Sequence, residues 1–171
     1  MARQEINDLF SMFHDFGIIS LTYINKNLTM TLAIPWGQLW DDLNYQIRLE
    51  LSGCDFILCN YSECINTNEH FDASSPKNRW VDKTTSEPNT ITELELEVQS
   101  HEFITPNRYV FRCNSSRCIS NNPFDSGNLI GGGKLFFTAE DYAIFDKDGK
   151  QIDLNQMKKW CTEWWDKIKN Q

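Results

Sequence analysis

A chain of 171 residues with 40% apolar and 13% aromatic side chains can bury roughly 70% of the surface its unfolded form exposes, so it needs no staples to fold. Its formal net charge of −8 argues against a general nucleic-acid binder, whose basic face gains affinity by releasing counterions, and favours a basic partner or simply serves solubility. The opening Met-Ala-Arg-Gln-Glu-Ile carries no apolar h-region and no apolar run approaches about 18 residues, so the expectation is no signal peptide, no membrane span, a cytoplasmic location and reduced thiols.

In chain order, Ile6, Leu9, Phe10 and Phe13 recur at helical spacing opposite Glu5, Asn7, Asp8 and Ser11, which predicts a short amphipathic helix. Gly17 is placed to end it in a left-handed conformation. Ile18 to Ile24 and Leu28 to Ile34 read as two strands joined by Asn25-Lys26-Asn27, since Asn tolerates the positive φ of a tight hairpin. Pro35-Trp36-Gly37 then breaks the run, and Gln38 to Asn44 forms a connection whose apolar residues have helical spacing. Tyr45, Ile47, Leu49 and Leu51 alternate with Gln46, Arg48, Glu50 and Ser52, so residues 45–61 are expected to form a half-buried hairpin turning at Gly53.

The polar stretch 66–89 reads as a long loop, the kind of connection that is usually functional or mobile. Strands are expected at Ile91 to Val98 and Arg108 to Cys113, a second polar loop at 114–133, and short strands at Lys134 to Thr138 and Tyr142 to Phe145. Asp146-Lys147-Asp148-Gly149 supplies a turn. It lacks the third acid and the closing Glu of a calcium loop. Asp153 with Gln156 reads as a helix N-terminus, and Met157, Trp160, Cys161, Trp164 and Ile168 form the apolar stripe of a C-terminal helix, with Trp165 at its rim.

Candidate chemistry is sparse. His14 beside Asp15 is the best catalytic-looking pair, because a carboxylate can orient an imidazole whose pKa lies near neutrality. No Ser or Cys stands in a nucleophile-elbow setting to be activated by it, so a structural role between helix and strand is the competing reading. Gly131-Gly132-Gly133-Lys134 superficially suggests a phosphate loop, but Asn128 and Leu135 stand where the motif needs Gly and Ser or Thr. A flexible approach to a strand is the simpler expectation. Six cysteines include Cys54, Cys59 and Cys64 at intervals that alternate faces of a strand, and Cys113 with Cys118 would need two further ligands to hold zinc. Neither a metal nor a cofactor is expected.

Glu93, Glu95 and Glu97 give one predicted strand face a row of carboxylates, either simply solvated or a docking surface for Lys and Arg of a partner. Asp41, Asp42, Glu69 and Asp72 could extend it if the fold brings them near. Among six tryptophans, Trp80, between Arg79 and Val81 in the long polar loop, is the first candidate for an exposed anchor.

Phe13-His14-Asp15-Phe16-Gly17-Ile18, followed by two alternating strands, a Trp-bearing connection and the turn at Gly53-Cys54, resembles small uncharacterised bacterial single-domain proteins, some of them similar to immunity proteins of polymorphic toxin systems. The resemblance covers about the first 60 residues and carries no catalytic residue. It implies a cytoplasmic α+β protein that binds and blocks a cognate toxin. The expectation is therefore one α+β domain spanning residues 1–171, with a mainly antiparallel twisted sheet of about seven or eight strands packed by terminal amphipathic helices. Its expected role is non-enzymatic binding. The alternatives are a hydrolase-like enzyme using His14, and a small-ligand or carbohydrate module using loop aromatics.

Overall fold

The computed structural model describes residues 2–35, 45–65, 79–115 and 129–170. The tryptophans at 36 and 40, the 38–44 connection, residues 66–78 and 116–128 of the two loops, and with them Asp41, Asp42, Glu69, Asp72 and Cys118, lie outside the described residues.

Helix α1 (Ala2–Phe10) opens the fold, and Ile6, Leu9, Phe10 and Phe13 are all buried as their spacing requires. The residue that takes the left-handed conformation after it is Asp15 (φ 65°), not Gly17, which already pairs with Ala33 and Glu97. The Asp15 N–H donates to Val98 O at 2.7 Å, so the reversal from helix to strand is clamped by the sheet. Strands β1 (Phe16–Ile24) and β2 (Asn27–Ala33) form the expected hairpin, with Asn25 and Lys26 both at positive φ (50° and 64°). That combination matches the right-handed twist of the flanking strands.

Strands β3 (Gln46–Ser52) and β4 (Ile57–Ile65) occupy the predicted positions but do not pair with each other. Local alternation correctly gives each strand its buried face; it carries no information about the neighbour. Strand β5 (Arg79–Thr85) and helix α2 (Pro88–Glu93) replace the end of the predicted loop, and β6 (Leu96–Thr105) begins later than the strand expected at 91–98. Pro88 suits the first turn of a helix. Ile91 and Leu94, buried three residues apart, serve the helix and its end, whereas Leu96 and Val98 serve the strand. Glu95, at φ 50°, turns the chain between them.

β6 forms a hairpin with β7 (Arg108–Ser115), and β8 (Leu129–Thr138) is longer than predicted because the three glycines lie inside it. β9 (Asp141–Phe145), β10 (Gln151–Ile152) and α3 (Leu154–Lys169) complete the chain. Asp146 builds the turn before β10, its Oδ1 accepting from the N–H groups of Asp148 and Lys150. Asp153 caps α3, accepting from Gln156 N at 2.8 Å.

The described residues thus hold ten strands and three helices, against the seven or eight strands and two helices expected, in one antiparallel sheet of order β10-β9-β3-β2-β1-β6-β7-β8-β4-β5. The α+β character and the antiparallel sheet stand. β3 runs directly into β4, and β8 into β9, while β3 lies against β9 and β4 against β8. The two continuous segments therefore form one long bent ribbon, and following neighbours from β1 through β2, the ribbon, β7 and β6 leads back to β1. At the bend Glu140 N donates to Ser52 O (2.8 Å) and Asp55 N to Thr138 Oγ1 (2.7 Å). β1 and β6 close the circuit through only Phe16–Val98 and Gly17–Glu97; beyond that point α2 takes over, with Thr92 Oγ1 accepting from Leu21 N at 3.0 Å.

Inside lies a single apolar cluster to which α1, α2, α3 and the strands all contribute. Phe10 is its pivot, meeting Tyr109, Phe111 and Phe137 edge-on at 5.0, 4.9 and 5.7 Å between ring centroids. Edge-to-face contacts of this kind add to the area that the rings bury. α3 joins this cluster through buried Met157, and its part-buried Leu154, Trp160, Cys161 and Trp164 pack against it. Trp165 is exposed, as a rim residue would be, and so is Ile168.

Candidate functional site

His14 and Asp15 sit on the surface turn between α1 and β1. His14 Nδ1 lies 2.7 Å from Asp15 Oδ2, and both side chains are about half exposed. The structure does bring the pair into contact, which adjacent residues seldom achieve, because Asp15 adopts a left-handed φ. The second histidine of interest, His101 on β6, had no signal in the sequence. Its Nε2 lies 3.0 Å from Asn7 Oδ1, its ring packs against Phe10, and burial pushes its pKa down. It ties α1 to the sheet.

The row of Glu93, Glu95 and Glu97 is not a strand face. Glu93 ends α2, Glu95 is the left-handed joint, and Glu97 lies on β6 opposite Gly17, its Oε1 accepting from Gln99 Nε2 at 2.9 Å. Period-two spacing failed here because a helix end precedes the strand.

Trp80 lies on β5 rather than in a loop. The reason for the three glycines emerges with it. Opposite β4 the register passes from Tyr61–Gly133 to Glu63–Ile130, so Gly131 and Gly132 together face Ser62 in a bulge. Gly132 takes φ +97°, and a Cβ there would meet Cys113 O at 2.5 Å. A Cβ on Gly133 would run into the backbone of Asn60 and Tyr61. A Cβ on Gly131 would meet the Trp80 ring at 2.9 Å. The glycines therefore let three strands and one indole approach closely, in place of the flexible strand entry expected. Trp80 remains 41% exposed on this seat.

On the opposite face of the β4–β5 pair, Glu63 is a buried carboxylate, 8% exposed, ion-paired with Lys83 of β5. That hydrogen bond holds the Lys83 pKa above its ordinary value. Glu63 and Lys83 line a cleft of about 190 Å³ with Tyr61, Thr90, Glu93, Leu94 and Ile130. Of the three glutamates read as a row, only Glu93 reaches it. Around the same strand pair, Ser62 Oγ donates to Asp82 Oδ1 at 2.7 Å and Thr84 Oγ1 to Asn60 Oδ1 at 3.1 Å. Polar cross-strand bonds thus fix the edge strand.

Cys54, Cys59, Cys64 and Cys113 are buried and in no disulfide. Desolvation pushes Cys59 up to about 12 and raises Cys113 as well, so both are neutral and poor nucleophiles at physiological pH. Among the described residues no group of three or more His, Cys, Asp or Glu side chains could hold a metal ion. No helix among them is long and apolar enough to cross a membrane. Comparison of the chain with protein families, curated proteins and solved structures returns no match.

Proposed function

We propose that this chain is a non-enzymatic protein-binding domain, acting in the cytoplasm as an immunity-type inhibitor of a basic toxin. The observation that carries the binding reading is Trp80, a large aromatic left 41% exposed on the terminal strand of the sheet and backed by Gly131. An indole seated against a glycine has one face covered by its own sheet and the other open to a partner. A large aromatic exposed in this way is of the residue type most enriched among interface anchors. The net charge of −8 would speed the approach of a basic partner and make the encounter salt-sensitive.

The test is capture by the immobilised chain from cells expressing candidate toxins, comparing wild type with Trp80→Ala at low and high salt. A stoichiometric complex with a basic protein, loss of that protein's toxicity in the complex, and at least tenfold weaker capture by Trp80→Ala are the expected results. Equal capture by the two chains would remove Trp80 from the interface. Failure of every basic candidate to bind would end the inhibitor reading.

A further inference from the structure

We propose that the outer edge of β5 receives an extended segment of the partner as an additional antiparallel strand, and that this segment is not a second copy of the chain. The inference rests on the binding reading above and assigns its surface. Among the described residues β5 pairs with β4 alone. Trp80, Asp82, Lys83 and Thr84 are exposed along it, so both faces of the strand are accessible at its edge. A terminal strand of this kind presents a row of backbone N–H and C=O groups that another strand can pair.

Charge decides the occupant. Antiparallel pairing of two copies about a two-fold axis that keeps the sheet faces continuous must centre on a residue, and only Val81, Asp82 or Lys83 as the centre pairs five or more residues of β5 with β5. Centred on Asp82, the register that overlaps all of β5, it sets Asp82 opposite Asp82. Centred on Lys83 it sets Lys83 opposite Lys83, and centred on Val81 it sets Lys83 opposite position 79, an arginine. Like charges directly opposite are destabilising. A heterologous strand escapes this by placing a cation opposite Asp82 and a carboxylate opposite Lys83. It can also lay an apolar side chain across Trp80, whose ring lies against Gly131. Ser62 and Glu63 hold Asp82 and Lys83 toward opposite faces of the sheet, so the partner's two charges must occupy adjacent positions of an extended chain.

The probe is a synthetic peptide, Thr-Val-Glu-Arg-Val-Tyr-Glu, which in antiparallel register sets Glu opposite Lys83, Arg opposite Asp82 and Tyr opposite Trp80. Its control exchanges the central Glu and Arg. Amide hydrogen exchange of the full chain is read by NMR with each peptide, alongside its mass in solution. The proposal expects a monomer and at least tenfold slowing of exchange at alternate residues of β5 with the first peptide. The control should give little slowing.

Proline tests the backbone directly. Because consecutive N–H groups of a strand point to opposite sides, one of Thr84→Pro and Thr85→Pro leaves the β4 ladder intact, and neither removes the charges at 82 and 83. Thermal melting identifies which, and that variant should lose the peptide-induced slowing. A dimer through β5, equal slowing by the two peptides, or no slowing at β5 would overturn the proposal. A captured toxin that leaves β5 exchange unchanged would also overturn it while leaving the binding reading standing. Conversely, slowing by the peptide with no basic protein captured would sustain the strand site and refute the inhibitor.

Discussion

Replacing Gly133 by alanine tests the close packing of the bulge more sharply than any loss of a core side chain. Ordinarily a Gly→Ala change at a permissive φ stabilises by about 0.4–1 kcal/mol, because it narrows the unfolded ensemble. At Gly133 the added methyl group would meet backbone on the β4 side, with Tyr61 Cα at 3.1 Å and Asn60 O closer still. Backbone atoms of a strand paired on both sides cannot swing away as a flexible side chain can. The cost therefore belongs at the upper end of overpacking effects, about 3 kcal/mol. Gly149, at φ +81° with nothing within 4 Å of an added Cβ, isolates the conformational penalty alone, about 1–2 kcal/mol. Urea unfolding of wild type, Gly133→Ala and Gly149→Ala would compare them; with a slope of about 2 kcal/mol per molar, Gly133→Ala should lower the midpoint by about 1.5 M. A Gly133→Ala midpoint equal to or above that of Gly149→Ala would show that β8 and β4 do not approach as described. Gly131→Ala makes the complementary case, since what it meets is an exposed indole on an edge strand. There the midpoint should hardly move while the tryptophan emission changes.

Phe10→Ala should destabilise by about 3–5 kcal/mol in the same assay, because it empties the position around which Tyr109, Phe111 and Phe137 are arranged; a loss below about 1 kcal/mol would contradict that packing. His101 makes stability depend on pH with a definite sign. Burial holds its folded pKa below 6.5, so the native state favours the neutral ring, and stability is lost as pH falls below 6.5 toward the folded value. His101→Phe should remove that part of the dependence between pH 7 and the folded pKa, and an unchanged pH profile of the melting temperature would refute it. Cys59 and Cys113 should resist iodoacetamide at pH 8 in the folded chain and react on unfolding, as followed by mass spectrometry. Rapid labelling of both under native conditions would show that the β4–β7–β8 core opens. Finally, Asp153→Ala removes the acceptor for Gln156 N and should cost about 1 kcal/mol, with fraying of α3 visible by circular dichroism.

The residue pattern by itself determined which side chains of α1, β1, β2, β3 and α3 face the core and where α3 begins, because these depend on near neighbours. Ile6, Leu9, Phe10 and Phe13 had to share one side of a helical turn, Leu28, Met30 and Leu32 one side of a strand, and Asp153 stood where a helix begins. These periods belong to the backbone and survive any arrangement of elements. Partnership between strands does not belong to it. β3 and β4 read as a hairpin because each alternates around Gly53, yet long-range burial placed β9 beside one and β8 beside the other. The same limit hid the candidate site. Glu93, Glu95 and Glu97 are equally spaced in the chain, but a helix end and a left-handed joint send them apart. The Gly131–Gly133 run looked like slack because its cause, the indole of Trp80 and the backbones of β4 and β7, arrives from segments about 20 to 70 residues away. Only the tertiary structure could turn a polar stretch into an edge strand, since the bonds that hold β5 come from β4 and not from its own sequence.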